Sequence, residues 1–333
     1  MQAWRHNPPG GSDRLKMVET DIPQIDDEEI LVKVHAAGVI WMELHWDLYK
    51  NEDGTYKTPI PGEDFSGVVV QVGSKVPKEC GLQVGTEIMA FVTKAFSSKR
   101  STDGGMAGYT KAHFSLMVPK PRSLSFVEAA SVPLSALTAW QALFDHAKLK
   151  KGQTLLVAGG AGPAAIWAIQ MGKMAGARVI ATASSERSFE LFKVLGVDQS
   201  LNYKNVKLES IVEDVDVVFN AVGDETTQQA VKILSKDGTI VNIVDMTVGD
   251  LSQQSVRDKF RQAHFRKENG RTVAFFIVDM KAEQLAKIGG LIDEGKLKVI
   301  IDSVFEYKDA VKAFQRGETG HAHGKIVLKG LDT

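Results

Sequence analysis

Apolar and polar positions change rhythm partway along this chain. Before Pro119 the apolar runs are short and closed by turn residues: ILVKV at 30–34, GVVVQV at 67–72 and EIMA at 87–90. Runs of this length, rich in β-branched residues and bounded by turn formers, predict strands. Few helix-length periodic segments accompany them, so a small, mostly β domain is predicted. After Pro119-Lys120-Pro121 the pattern alternates. Ser125 stands three residues before Glu128, the spacing of a capping box at a helix start. Runs at 154–158, 178–183, 216–220 and 239–244 predict strands, and 163–175, 186–195 and 226–234 predict helices between them. That alternation implies parallel βαβ units, whose crossovers cover both sheet faces and leave nearly continuous apolar strands. A strand at 272–278, a helix at 282–294 and a strand at 325–329 follow. No internal repeat is visible.

Composition narrows the classes. With 333 residues the chain is long for one core and suits two domains. Hydrophobic residues at 44% and charged residues at 24% indicate a globular protein. Forty basic against 41 acidic residues, a net charge of -1, give no reason to expect nucleic acid or an anionic membrane as partner. No uninterrupted apolar run is long enough to span a bilayer. The first residues lack the apolar core of a secretory signal, so a cytoplasmic location is expected. The single cysteine, Cys80, excludes an internal disulfide and a thiolate cluster for structural zinc.

The chemistry-bearing motif is Gly160-Ala161-Gly162-Pro163-Ala164-Ala165, which matches G-x-G-x-x-(G/A) directly after a predicted strand. Gly160 is expected to make the tight turn and Gly162 to let the backbone approach a pyrophosphate. Ala165 permits close helix–strand packing. Pro163 suits a first helical turn, where its missing N–H has no partner in any case. The remaining N–H groups and the helix dipole would face the phosphates. An NAD site commonly ends the second strand with an acid that holds the ribose 2′-hydroxyl. Here the strand ends Ala183-Ser184-Ser185-Glu186-Arg187. Ser184, Ser185 and Arg187 offer donors for a 2′-phosphate, so NADP(H) is the expected cofactor. Glu186 reads as a first-turn acid favoured by the helix dipole.

Five segments carry a family resemblance: GEDFSGVVVQVG (62–73), LSFVEAASVPLSALTAWQALFDHAKLKKGQTLLVAGGAG (124–162), ARVIATAS (177–184), NAVG (220–223) and GHAHGKIVL (320–328). Together they resemble the medium-chain dehydrogenase/reductase superfamily, in its quinone oxidoreductase and enoyl reductase branch, over nearly the whole chain. The resemblance implies an α/β protein with a doubly wound Rossmann sheet plus a GroES-like, mostly β domain formed by both chain ends. The expected division is 1–123 with 280–333 for the GroES-like domain and 124–279 for the Rossmann domain. It further implies Thr138 beside the nicotinamide, and Gly160, Gly162, Ala164 and Ala165 at the phosphates. Arg187 and Tyr203 would meet the 2′-phosphate. Ala221, Val222 and Gly223 would form the loop under the cofactor. Ile243 and Val244, then Phe276 and Ile277, would border it further on.

Departures from the family pattern are informative. Zinc-dependent relatives carry a cysteine, a His-Glu pair and a second cysteine where this chain has Ile40, Glu63 with Asp64, and Leu134. One carboxylate among apolar residues does not make a three-ligand catalytic zinc site, so a zinc-independent enzyme is expected. The segment 40–56 is aromatic, with Trp41, Trp46, Tyr49 and Tyr56. Aromatic walls suit a flat quinone or an α,β-unsaturated carbonyl, with ordinary packing as the alternative. Tyr49 or Tyr56 is the candidate proton donor after hydride addition, with ordinary surface tyrosines as the alternative. Asp64 and Glu43 read as carboxylates accepting backbone N–H bonds, with acid–base chemistry as the second reading for both. An enoyl-thioester reductase, with Lys94, Lys99 and Arg100 as a basic rim, and a non-catalytic NADPH-binding structural protein are the competing functions. The apolar 272–278 strand is expected at a sheet edge, where self-pairing across a two-fold axis would give a homodimer. The alternative is that helix 282–294 covers that edge in a monomer.

Overall fold

The computed structural model describes residues 1–8, 10–45, 58–92, 103–210, 213–244, 264–268 and 270–330. In chain order the first strands are β1 (Gln2–His6), β2 (Leu15–Glu19), β3 (Glu29–Val39), β4 (Asp64–Val72), β5 (Glu87–Phe91), β6 (Tyr109–His113) and β7 (Met117–Pro119). Helices α1 (Phe126–Ala129) and α2 (Pro133–Trp140) follow. Next come β8 (Thr154–Ala158), α3 (Pro163–Met174), β9 (Arg178–Ala183), α4 (Glu186–Val194) and β10 (Gln199–Asn202). Then come β11 (Val215–Asn220), α5 (Asp224–Ile233), β12 (Leu234–Asn242), β13 (His264–Glu268) and β14 (Arg271–Phe275). The chain closes with α6 (Ala282–Asp293), β15 (Ile301–Glu306), α7 (Ala310–Glu318) and β16 (Lys325–Lys329).

Among the described residues, one compact unit holds Met1–Leu134 and Asp279–Thr333 up to residue 330, and the other holds the stretch between. The first unit is a seven-stranded sheet in the order β15-β16-β3-β4-β5-β7, with β6 also on β3 and the β1-β2 hairpin beside it. Both chain ends build one core here. Ile30, Phe65 and Ile88 from the early strands are buried with Tyr307, Ala313 and Phe314 from the late segment. Trp4 donates from its indole Nε1 to the Tyr307 carbonyl at 2.8 Å. The capping box forms as predicted: the Glu128 N–H donates to Ser125 Oγ, and the Ser125 N–H to Glu128 Oε2. The unit boundary falls after Leu134, later than the 123/124 division expected. The physical reason is α1, whose Phe126 ring stacks on His35 at 4.4 Å and whose Ala130 C-cap is buried with Ala36 and Val327.

The second unit is a seven-stranded sheet in the order β10-β9-β8-β11-β12-β14-β13. The first six strands run parallel, and the order reverses between β8 and β11, as in a doubly wound nucleotide-binding fold. On one face of the sheet the register neighbours Leu156, Ile180, Val218 and Ile240 meet Ala230 and Ile233 of α5.

The edge expected at 272–278 is corrected. Strand β14 covers only Arg271–Phe275 and lies inside the sheet, because β13 pairs with it antiparallel through Phe265↔Ala274. Helix α6 belongs to the first unit and packs on β7, with Gly289 close to Pro121 and Met89.

Candidate functional site

Six parallel strands end on one side of the second unit's sheet, and the expected cofactor residues follow those ends one after another. The Gly159–Gly162 turn follows β8, and Ser184 follows β9. Tyr203 follows β10, with its N–H on the Ala183 carbonyl at 3.3 Å. Ala221, Val222 and Gly223 follow β11, Ile243 and Val244 follow β12, and Phe276 and Ile277 follow β14. The carboxyl ends of strands in an open α/β sheet, at the point where strand order reverses, are where ligands bind. Thr138 lies on α2 and is buried. That helix continues into a π-helical turn, Gln141–His146, which packs on β11 and β12 and sets the His146 ring 4.4 Å from Phe276.

The glycine turn is built differently from the expectation. Gly159, not Gly160, makes the left-handed turn, with φ of 73°. Gly160 is needed for packing: a Cβ there would lie 2.7 Å from the Phe192 ring and 3.1 Å from Ala181. Gly162 is the extended N-cap of α3 and contributes no side-chain cap, with Pro163 beside it in the first turn. A Cβ on Gly162 would meet only the Gly159 carbonyl, at 3.4 Å. Ala165 is buried against the sheet, as expected, and Ala164 is half-buried. The N-terminal end of a twelve-residue helix therefore carries small residues and a backbone free of side-chain caps. That is the surface a pyrophosphate requires.

At the next strand end, Ser184 donates to the Tyr203 hydroxyl at 3.0 Å. Tyr203 is 56% exposed, and Arg187 is exposed on the first turn of α4. Ser185 is removed from the candidate donors. Its Oγ accepts the Ser188 N–H as the N-cap of α4 and lies 2.7 Å from Ser188 Oγ. Ser184, Tyr203 and Arg187 remain as neutral or cationic donors at the place where NAD-preferring sites set an acid, so the residues fit an NADP(H) ribose phosphate.

Three residues here escaped the sequence reading. Asn220 and Asn242 end β11 and β12 in mutual register, and Thr227 reaches both from α5. The legible signal was an asparagine closing each of two apolar strand runs, VVFN and IVN.

In the first unit, Trp41 lies on a 3₁₀ turn, Trp41–His45, with its ring edge-on to His45 at 6.0 Å. It is 38% exposed and seated on Gly317 of α7, where a Cβ would come within 2.7 Å. Glu43 is buried and accepts the Gly62 N–H on both oxygens, at 2.9 and 3.1 Å. Asp64 is 0% exposed. Its Oδ2 accepts Lys325 Nζ and its Oδ1 the Leu134 N–H, at 2.7 and 2.8 Å. Burial pushes its carboxyl above the ordinary range, against the opposing pull of Lys325 and the Leu134 N–H. With both oxygens held this way, the geometry supports the structural reading of Asp64 over the acid–base one. Tyr49, Tyr56, Trp46, Lys94, Lys99 and Arg100 lie outside the described residues.

Comparison with known proteins gives a consistent picture. Residues 26–122 match the alcohol dehydrogenase GroES-like domain, and residues 195–328 the zinc-binding dehydrogenase family. The 2-methylene-furan-3-one reductase of Solanum lycopersicum is 32% identical, over 98% of this chain and 79% of that protein. The chloroplastic NADPH-dependent alkenal/one oxidoreductase of Arabidopsis thaliana is 31% identical over the same shares. The structure of the quinone oxidoreductase from Coxiella burnetii superposes with a TM-score of 0.84, at 30% identity and 99% coverage of both chains.

Proposed function

From the premise that the chain belongs to the medium-chain dehydrogenase/reductase superfamily, we propose that it is an NADPH-dependent reductase of quinones or α,β-unsaturated carbonyls that works without zinc. The observation that carries this reading is the set of six strand ends in the second unit, with the glycine turn at one and the Ser184–Tyr203 pair at another. The relatives named as alkenal/one and quinone oxidoreductases support the same substrate class.

When bound, the cofactor supplies a hydride. The chain's own residues do the rest. The N–H groups at the start of α3 hold the pyrophosphate, and Ser184, Tyr203 and Arg187 hold the 2′-phosphate. Val222 and the small residues of the glycine turn give the cofactor an apolar bed.

Zinc independence rests on residue chemistry. Ile40 and Leu134 have no donor atoms, and Asp64 is already paired with Lys325. Without a Lewis acid to polarise a simple aldehyde or alcohol, an acceptor activated by its own conjugation is favoured. The assay follows NADPH oxidation with a quinone, an enone and a saturated aldehyde, before and after extended chelation. Turnover of a quinone or enone that survives chelation is expected. Turnover of saturated substrates alone, lost on chelation, contradicts the proposal. NADPH binding with no turnover across the panel favours a structural role. A homodimer joined through the sheet edge is also proposed, now with β13 as the pairing strand, since its outer side carries no partner strand among the described residues. A monomeric mass by light scattering at micromolar concentration rules it out.

A further inference from the structure

The loop between β11 and α5 is held by a buried amide cluster. Asn220 and Asn242 face each other in register at the ends of parallel strands. Asn220 is 0% exposed. Its Nδ2, with two N–H groups to give, lies 2.8 Å from Asn242 Oδ1 and 2.9 Å from both Thr227 Oγ1 and the Gly223 carbonyl, so these three acceptors share its two hydrogens. Its Oδ1 accepts the N–H groups of Val222 at 2.9 Å and Gly223 at 3.3 Å. Only this orientation of the amide works, because the reverse would set its oxygen against the Gly223 carbonyl and its NH₂ against two N–H groups. The Thr227 hydroxyl lies 2.9 Å from Asn242 Oδ1 and 3.3 Å from the Gly223 carbonyl, and completes the cluster.

The consequence lies in what the loop no longer offers. Helix α5 starts on the same sheet edge as α3, but the N–H groups before it are occupied by Asn220, and Asp224 and Glu225 stand in its first turn. The two acids and the two occupied N–H groups disfavour a phosphate at α5, whereas α3 has no acid in its first turn. What the loop presents instead is Val222, 55% exposed. A Cβ on Gly159 would fall 3.2 Å from Val222 Cγ2, so the two loops abut.

We propose that Asn220, Asn242 and Thr227 are positioning residues for the dinucleotide: they fix Val222 as an apolar wall beside the glycine turn and direct the pyrophosphate to α3. This rests on the NADPH reading above. The test is titration of the intact chain with NADPH, followed by cofactor fluorescence, alongside thermal unfolding. Thr227→Val keeps the shape and removes the hydroxyl. It should weaken NADPH binding several-fold, and Thr227→Ser should recover most of the loss. Asn220→Ala should weaken binding by about tenfold or more, the scale of a buried partner left unsatisfied. The Michaelis constant for NADPH should rise more than kcat falls at saturating NADPH. Where Asn220→Ala fails to fold, the Thr227 pair decides. Unchanged NADPH affinity in Thr227→Val with only a lower melting temperature makes the cluster structural and overturns the proposal. A wild-type chain that binds no NADPH overturns the reading beneath it, and that result is visible before any variant is made.

Discussion

The two units bury polar groups for different ends. In the first, buried charged groups are turned inward: Asp64 with Lys325, and Glu43 on the Gly62 backbone. They hold distant strands and turns to one another. In the second, two buried neutral amides stand at the ends of strands, and nearby Ser184, Arg187, Tyr203 and Val222 reach solvent. A charged pair in a dry core punishes the loss of one partner heavily, whereas a neutral amide cluster sets a loop without placing a strong field beside a bound anion. The first arrangement builds a frame. The second shapes the edge on which the proposed cofactor site lies.

The strongest way to break this contrast is Lys325→Met. It leaves Asp64 buried without its counter-charge, so a loss of about 3–5 kcal/mol in unfolding free energy is expected. Urea denaturation measures it, and a loss below about 1 kcal/mol would remove the framing role, since only exposed pairs are worth so little. Next is Arg187→Ala in the second unit. Binding of NADPH should weaken roughly ten- to hundredfold, the scale of a lost charge-assisted hydrogen bond, while NADH binding changes little. Stability should barely move, the reverse of the Lys325 variant. Equal weakening toward both cofactors would show that Arg187 does not read the 2′-phosphate.

The smallest expected effect is a pH slope. Burial works against the charge on Asp302, but the His323 N–H, Arg316 and Ser303 hold its carboxyl below the ordinary range. A depressed carboxylate contributes stability that is present above its unfolded value, about 3.9, and is lost as pH falls through the folded one. The melting temperature should therefore drop below about pH 4, and Asp302→Asn should flatten that part of the curve. An unchanged acid limb in the variant would show that the Arg316–Asp302–His323 tie adds nothing to stability.

Much of the fold could be read in advance because period and turn chemistry agree with it. Strands 154–158 and 178–183 sit where their continuous apolar runs predicted, and the Ser125–Glu128 box starts a helix. Strand β10, QSLN, was not legible, because a polar edge strand carries no hydrophobic signal. The place of β14 inside the sheet was hidden for a related reason. Its covering strand, HFRKE, is polar and charged, and only pairing reveals it. The strand-end position of the candidate cofactor residues was legible through glycine spacing and resemblance, yet the division of labour within the turn was not. Gly159 takes the positive φ, and Gly160 is required by the Phe192 ring, which is distant in sequence. Asn220 escaped because a buried amide is recognised by its partners, and those partners come from three separate elements.

The shared core of the two chain ends has a consequence for synthesis on the ribosome. Asp64 and Lys325 are 261 positions apart, and the 36–39 half of β3 has β16 as its partner strand on that side. As the chain emerges, that stretch of β3 waits as an unsatisfied sheet edge while the whole second unit is made. The second unit, whose parallel strands all lie within the intervening segment, can reach its native contacts first. The first is completed only when the final strand docks. Contacts of such long range make closure slow, and an exposed strand edge in the interval invites pairing with other chains. The nascent protein is thus exposed to aggregation for as long as β3 waits for β16, while the second unit is being made.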